Sequence, residues 1–253
     1  QQYRFAASES VKKSNIPKAI SLILLLGIVA SLLGANIVSV TKDFHQITYV
    51  GSYIAMSLLT IIPFFFFVFY KNEEKIETKR VKSQKSIFEL LSNKNIQLSI
   101  LSAGIGYTTM STLMTATPIS MNMMHGFSLF STGIVLQIHV VGMFLPSLIT
   151  GDLIKIFGHK KMIYSGIIIL LITIIIHFNF ETYYGYMIGL VLLGVGWNFL
   201  FVSGTSLLVV SYNKEDKFLA QGVNDFVVFS SQALGSLSAG IILFSTSWQT
   251  LNL

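Results

Sequence analysis

Seven long apolar stretches, at about 19–40, 49–70, 96–119, 127–150, 161–179, 183–211 and 219–246, constrain this chain more than any other feature. A hydrocarbon layer about 30 Å thick is crossed by roughly 20 helical residues. None of the stretches shows the short in-and-out alternation of a membrane barrel strand. A helix also satisfies its own backbone hydrogen bonds, which lipid cannot do. The composition agrees: 53% of the residues are apolar and only 11% are charged, against about 25% charged in an ordinary globular domain. The expected fold class is therefore an all-α integral membrane protein with seven transmembrane helices.

The basic residues set the expected orientation. Of 17 Lys and Arg, all but Lys42 precede the first stretch or fall in the loops after the second, fourth and sixth. Such a bias marks the cytoplasmic side, so the chain start is expected in the cytoplasm and the protein in a cell (plasma or inner) membrane. The net charge of +6 is then explained by a membrane surface, with no need for a nucleic-acid partner. Gln1 to Phe5 read as the cytoplasmic end of an earlier helix, and Leu253 lies just past a span. The sequence is accordingly expected to be a piece of a longer protein.

Several function classes fall away. With no cysteine, disulfide scaffolds, thiolate metal sites and thiol nucleophiles are excluded. Neither H-E-x-x-H nor G-x-S-x-G occurs, and only Asp225 is an acid well inside a span. No catalytic residue, cofactor or metal is expected. The competing classes are a seven-helix receptor, which would begin outside the cell, and a membrane-embedded enzyme, for which the side chains are lacking.

The spans are unequal in polarity. The second and fifth are almost wholly apolar, whereas the third carries Tyr107, Ser111 and Thr115 at helical spacing. Gln137 and His139 lie near the middle of the fourth span, Trp197 and Asn198 near the middle of the sixth, and Gln232 in the seventh. Polar groups so deep in hydrocarbon face the bundle interior or a wet cavity. Tyr107, Ser111, Gln137, His139, Trp197, Asn198 and Gln232 are therefore candidates to line one shared solute path. Each has a plainer alternative. Hydroxyls bond their own preceding turn, and His139, Trp197, Asn198 and Gln232 can simply join helices. His139 can also relay protons. Asp225, near the start of the seventh span and flanked by Gln221 and Asn224, is read as a gating partner, a proton-coupling group or a solute contact.

The loop Gly151-Asp152-Leu153-Ile154-Lys155-Ile156-Phe157-Gly158-His159-Lys160-Lys161 resembles the G-x-x-x-D-R-x-G-x-[RK]-[RK] motif of the major facilitator superfamily. Gly151, Gly158, Lys160 and Lys161 match, whereas Lys155 and Ile156 stand at the motif's Asp and Arg. The resemblance implies that the loop joins helices 8 and 9, which makes the seven spans helices 5 to 11 of an implied twelve. Residues 1–70 would then close the N-terminal half, 71–95 form the cytoplasmic linker, and 96–253 supply helices 7 to 11. Gly194-x-Gly196-Trp197-Asn198-Phe199 and Ala220-Gln221-Gly222-Val223-Asn224-Asp225-Phe226 resemble segments of bacterial members, some proposed as riboflavin carriers. The implied function is secondary transport of a small organic solute by alternating access, with or without proton coupling. The implied partners are that solute, the lipid bilayer and the missing helices of the same chain, in a monomer.

Overall fold

A computed structural model describes residues 3–69 and 85–252. Its helices are α1 (Tyr3–Glu9), α2 (Ile16–Thr41), α3 (Val50–Phe69), α4 (Ile87–Leu91), α5 (Lys94–Ile119), α6 (Leu129–Phe144), α7 (Ser147–Phe157), α8 (His159–Asn179), α9 (Tyr183–Ser211), α10 (Lys217–Ser245) and α11 (Trp248–Leu251). No strand occurs among the described residues. Every apolar stretch of the sequence is helical, the fourth as α6 and α7 together. Most of the expected linker at 71–95, through residue 84, lies outside the described residues.

Five segments are long and apolar enough to cross a membrane: Lys13–Val38, Leu129–Phe157, His159–Asn179, Tyr183–Ser211 and Lys214–Ser245. The apolar run in α3 is shorter, Val50–Phe65. Helix α5 is 26 residues long, and its Ser and Thr side chains dilute its hydropathy.

Two compact units can be distinguished, Val29–Val81 and Gln1–Ile28 with Lys82–Leu253. In the first, the end of α2 and the start of α3 are tied by Thr41 Oγ1 and Ser52 Oγ, 3.1 Å apart. The turn between them is closed by the Tyr49 amide donating to the Lys42 carbonyl at 2.7 Å.

Helix α9 is the axis of the second unit, with α5, α6 and α8 packed around it. It buries Leu190, Leu193, Trp197, Leu200 and Val202. Close approach is possible because Gly194 has no side chain: a Cβ there would lie 2.6 Å from the Met143 amide nitrogen of α6. Ile168, Leu171 and Ile175 of α8 are exposed, as befits a helix whose outer side meets acyl chains. Helix α10 lies along α5, where Thr115 and Ser236 hydroxyls are 3.0 Å apart and Thr112 Oγ1 donates to the Gly235 carbonyl at 3.3 Å.

The fourth span breaks at Leu145–Pro146, where proline lacks an amide hydrogen and its ring crowds the preceding turn. Asn198 of α9 bridges the break. Its Nδ2 donates to the Met143 carbonyl and to Ser147 Oγ, each at 2.7 Å. Its Oδ1 accepts from Thr150 Oγ1 at 2.7 Å.

Candidate functional site

Helix α1 carries a feature of the site that sequence reasoning missed. Arg4 is buried, and its Nη2 lies 2.5 Å from Asp225 Oδ1 within the first three turns of α10. The guanidinium carbon sits 4.6 Å from the Phe5 ring centre and 4.7 Å from that of Phe201, a cation sandwiched between two π faces. Asn224 Nδ2 donates to the same carboxylate oxygen at 3.1 Å. A second ion pair, Lys217 with Glu9 at 2.5 Å, joins the same two helices. Nearby in sequence, Gln221 Nε2 donates to Tyr212 Oη at 2.8 Å. Burial pushes the Tyr212 phenol up, against the opposing effect of that hydrogen bond. A signal for Arg4 existed: an acid inside a span calls for a cation, and Arg4 is the first basic residue of the chain.

Beside this pair lies a cavity of about 260 Å³ whose walls include Tyr3, Arg4, Tyr107, Phe144, Trp197 and Phe201. The Trp197 and Phe201 rings are stacked, 4.9 Å apart and 16° from parallel. Tyr107 meets both edge-on, at 5.4 and 5.2 Å, and Phe144 meets Trp197 edge-on at 6.0 Å. The Trp197 indole N–H is buried with no hydrogen-bond partner among the described residues. Aromatic walls with one cation suit a flat ring system bearing acceptor atoms.

The structure brings Tyr107 and Trp197 together in this cavity, with Ser111 buried one turn farther along α5. It does not bring His139 or Asn198 there. Both are fully buried. His139 Nδ1 is 2.7 Å from the Leu190 carbonyl, and Asn198 is occupied at the helix break. These residues tie helices to one another, because a buried polar group takes the nearest backbone partner that packing offers. Gln137 is exposed and Gln232 half-buried, and neither belongs to the cavity wall.

In the loop motif, Gly158 has φ 83°, a backbone conformation that favours glycine. Gly151 lets α7 pass the start of α2, since a Cβ there would lie 2.7 Å from Lys18 Cα. Lys160 and Lys161 are exposed. Although Lys155 and Ile156 replace the motif's charge pair, Asp152 pairs with Lys18 across the same contact at 3.4 Å. Among the described residues no cluster of three or more His, Asp or Glu side chains is placed to hold a metal ion.

A further polar cluster unites segments at the opposite ends of the helices. His125 Nε2 lies 3.1 Å from Glu181 Oε2, Gln249 Nε2 donates to Glu181 Oε1, and Ser120 Oγ lies 2.6 Å from Tyr186 Oη. Its members come from separate loops and helix ends, so no local spacing announces it.

Residues 4–236 match the family model of the Major Facilitator Superfamily. The chain belongs to this superfamily. It is 31% identical to the riboflavin transporter RfnT of Brucella anthropi over 258 residues, covering 100% of this chain and 64% of that protein. Two MFS-type transporters of Bacillus subtilis are also similar. YdeG is 38% identical over 56% of the chain and 33% of its own length. YddS is 26% identical over 100% of the chain and 62% of its own length. The chain thus spans under two thirds of the length of these relatives. As a member of the superfamily it is an all-α, multi-pass membrane protein.

Proposed function

We propose that the chain is the middle part of a secondary carrier that moves a flat, aromatic organic solute across a bacterial plasma membrane by alternating access. The single observation that carries this reading is the aromatic cavity sharing Arg4 with the ion pair that joins α1 to α10. A solute packed against Tyr107 and Trp197 lies beside the charge pair whose opening would free one side of the bundle. Riboflavin, named for the Brucella anthropi relative, is the solute to test first, since its ring system is planar and rich in acceptor atoms.

In this reading the chain start is cytoplasmic, and residues 1–70 and 96–253 belong to the two halves of a monomeric twelve-helix protein. The linker at 71–95 joins them. Gln221, Asn224 and Asp225 act at the closure. Proton coupling through Asp225 is the second reading, supported by its being the one acid well inside a span. Its buried ion pair with Arg4 at 2.5 Å, which ties α1 to α10, favours closure over a proton relay.

Uptake of labelled riboflavin by a riboflavin-requiring strain expressing the full-length protein tests the proposal. Uptake above the empty-vector level is expected, with loss on Trp197→Ala at unchanged membrane abundance. Wild-type uptake by that variant would remove the cavity from the transport path. A flat response to riboflavin, with uptake of another planar solute, would change the solute and keep the site.

A further inference from the structure

On the side of the bundle where the basic residues gather, a second recess of about 610 Å³ opens between the start of α2, the end of α7, the start of α8 and the end of α9. Lys13, Lys155 and His159 line it together with Asn15, Pro17 and Ile154. Pro17 and Ile154 are buried, whereas Lys13, Asn15 and Lys155 are exposed, so an apolar floor lies beneath a basic rim.

We propose that this recess binds the phosphate of an anionic phospholipid headgroup, with the glycerol and first acyl carbons resting on Pro17 and Ile154. The rim is preset for an anion. Lys155 Nζ is steadied 3.1 Å from Asn15 Oδ1 and 3.8 Å from Asp152 Oδ1. Lys18 shares that acid at 3.4 Å. Lys18 and Lys155 thus share one carboxylate while Lys13 lines the same recess, which leaves positive charge in excess. Lys13 makes no ion pair among the described residues. His159 Nε2 is held 2.9 Å from Ser206 Oγ, fixing the ring at the recess wall. The first turn of α8 has no side-chain cap, and its free amides add partial positive charge.

Positive-inside placement alone explains lysines in these loops, but it requires only solvated side chains. It does not require an apolar floor beneath them. A phosphate with hydrocarbon attached matches both parts of the recess; free phosphate matches only the rim. The position agrees as well, because the recess lies at helix ends, where headgroups sit.

The test uses the full-length transporter in nanodiscs of phosphatidylcholine with and without phosphatidylglycerol, read by native mass spectrometry after partial delipidation. Wild type is expected to retain phosphatidylglycerol in preference to phosphatidylcholine. Lys13→Gln should weaken retention roughly fivefold, as expected for one surface lysine near anionic lipid, and Lys13→Gln with Lys155→Gln should weaken it further. Lys214→Gln, on the basic side but outside the recess, should retain lipid as wild type does. Because Lys13 is exposed, its single variant keeps the test readable even if loss of the Lys155–Asn15 contact lowers thermal stability. Equal retention by Lys13→Gln and wild type overturns the proposal. So does equal loss on Lys214→Gln, or saturable binding of inorganic phosphate with no preference for the phospholipid.

Discussion

Arg4 and Asp225 lie 221 residues apart in sequence and 2.5 Å apart in space, joining the short first helix to the start of α10. Both are largely withdrawn from solvent, so removing one partner leaves an uncompensated charge. Breaking a buried pair in this way costs about 3–5 kcal/mol. Arg4→Gln or Asp225→Asn alone should lower the unfolding temperature of the detergent-solubilised full-length protein, and the double variant should recover most of the loss. A double variant no more stable than either single one would show that the charges do not act as a pair.

The same carboxylate separates the two readings of its role. If Asp225 serves closure, Asp225→Asn should change transport rate while leaving the pH dependence of uptake as in wild type. If it carries protons, the variant's uptake should become insensitive to an imposed pH gradient. Initial rates over a series of external pH values distinguish these outcomes.

Asn198 satisfies the backbone where Pro146 interrupts the fourth span. Asn198→Ala strands the Met143 carbonyl and the Ser147 hydroxyl, while Thr150 keeps its bond to the Pro146 carbonyl at 2.8 Å, at about 1–3 kcal/mol for an unsatisfied buried group. Lower membrane abundance and unfolding temperature are expected, with the surviving protein's KM near wild type. A raised KM at normal stability would instead place Asn198 against the solute.

Tyr107 and Trp197 contribute ring faces and edges to the cavity. An aromatic contact is worth about 0.5–1.5 kcal/mol beyond its area. Trp197→Leu should therefore raise KM for a planar solute roughly two- to tenfold, with little change in the amount of protein in the membrane. Concentration-dependent uptake by the full-length protein measures this directly.

Gly194 permits contact between α6 and α9: an added Cβ would meet the Met143 nitrogen at 2.6 Å and the His139 carbonyl oxygen at 2.8 Å. Both are backbone atoms and cannot step aside, so Gly194→Ala should cost about 1–3 kcal/mol by overpacking. Gly133→Ala, in α6 with nothing within 4 Å of its Cβ position, should leave thermal stability within about 0.5 kcal/mol. Comparing the two unfolding temperatures separates packing from helix propensity.

The long helices were legible, though the break at Leu145–Pro146 was not, and the site was legible only in part. Tyr107 and Trp197 could be singled out because aromatic and hydroxyl groups at mid-span depth stand out against Ile and Leu. His139 and Asn198 stood out for the same reason, yet they bond the Leu190 and Met143 carbonyls. Depth is set by distance along a helix, whereas the direction a side chain faces depends on which neighbour lies there. Thr112 and Thr115 show this as well: their stripe meets Gly235 and Ser236 of α10 in place of the cavity.

From the sequence alone came an all-helical membrane bundle, the side on which its lysines gather, and the loop whose glycines mark the superfamily. These depend on hydropathy and on local backbone needs such as the φ of Gly158, which a short window of residues already contains. Tertiary structure alone decided that Arg4 neutralises Asp225, that Asn198 mends a proline break, and that five aromatic side chains and a guanidinium surround one cavity. Those relationships join residues distant in the chain, and only the packing of whole helices sets the distances between them.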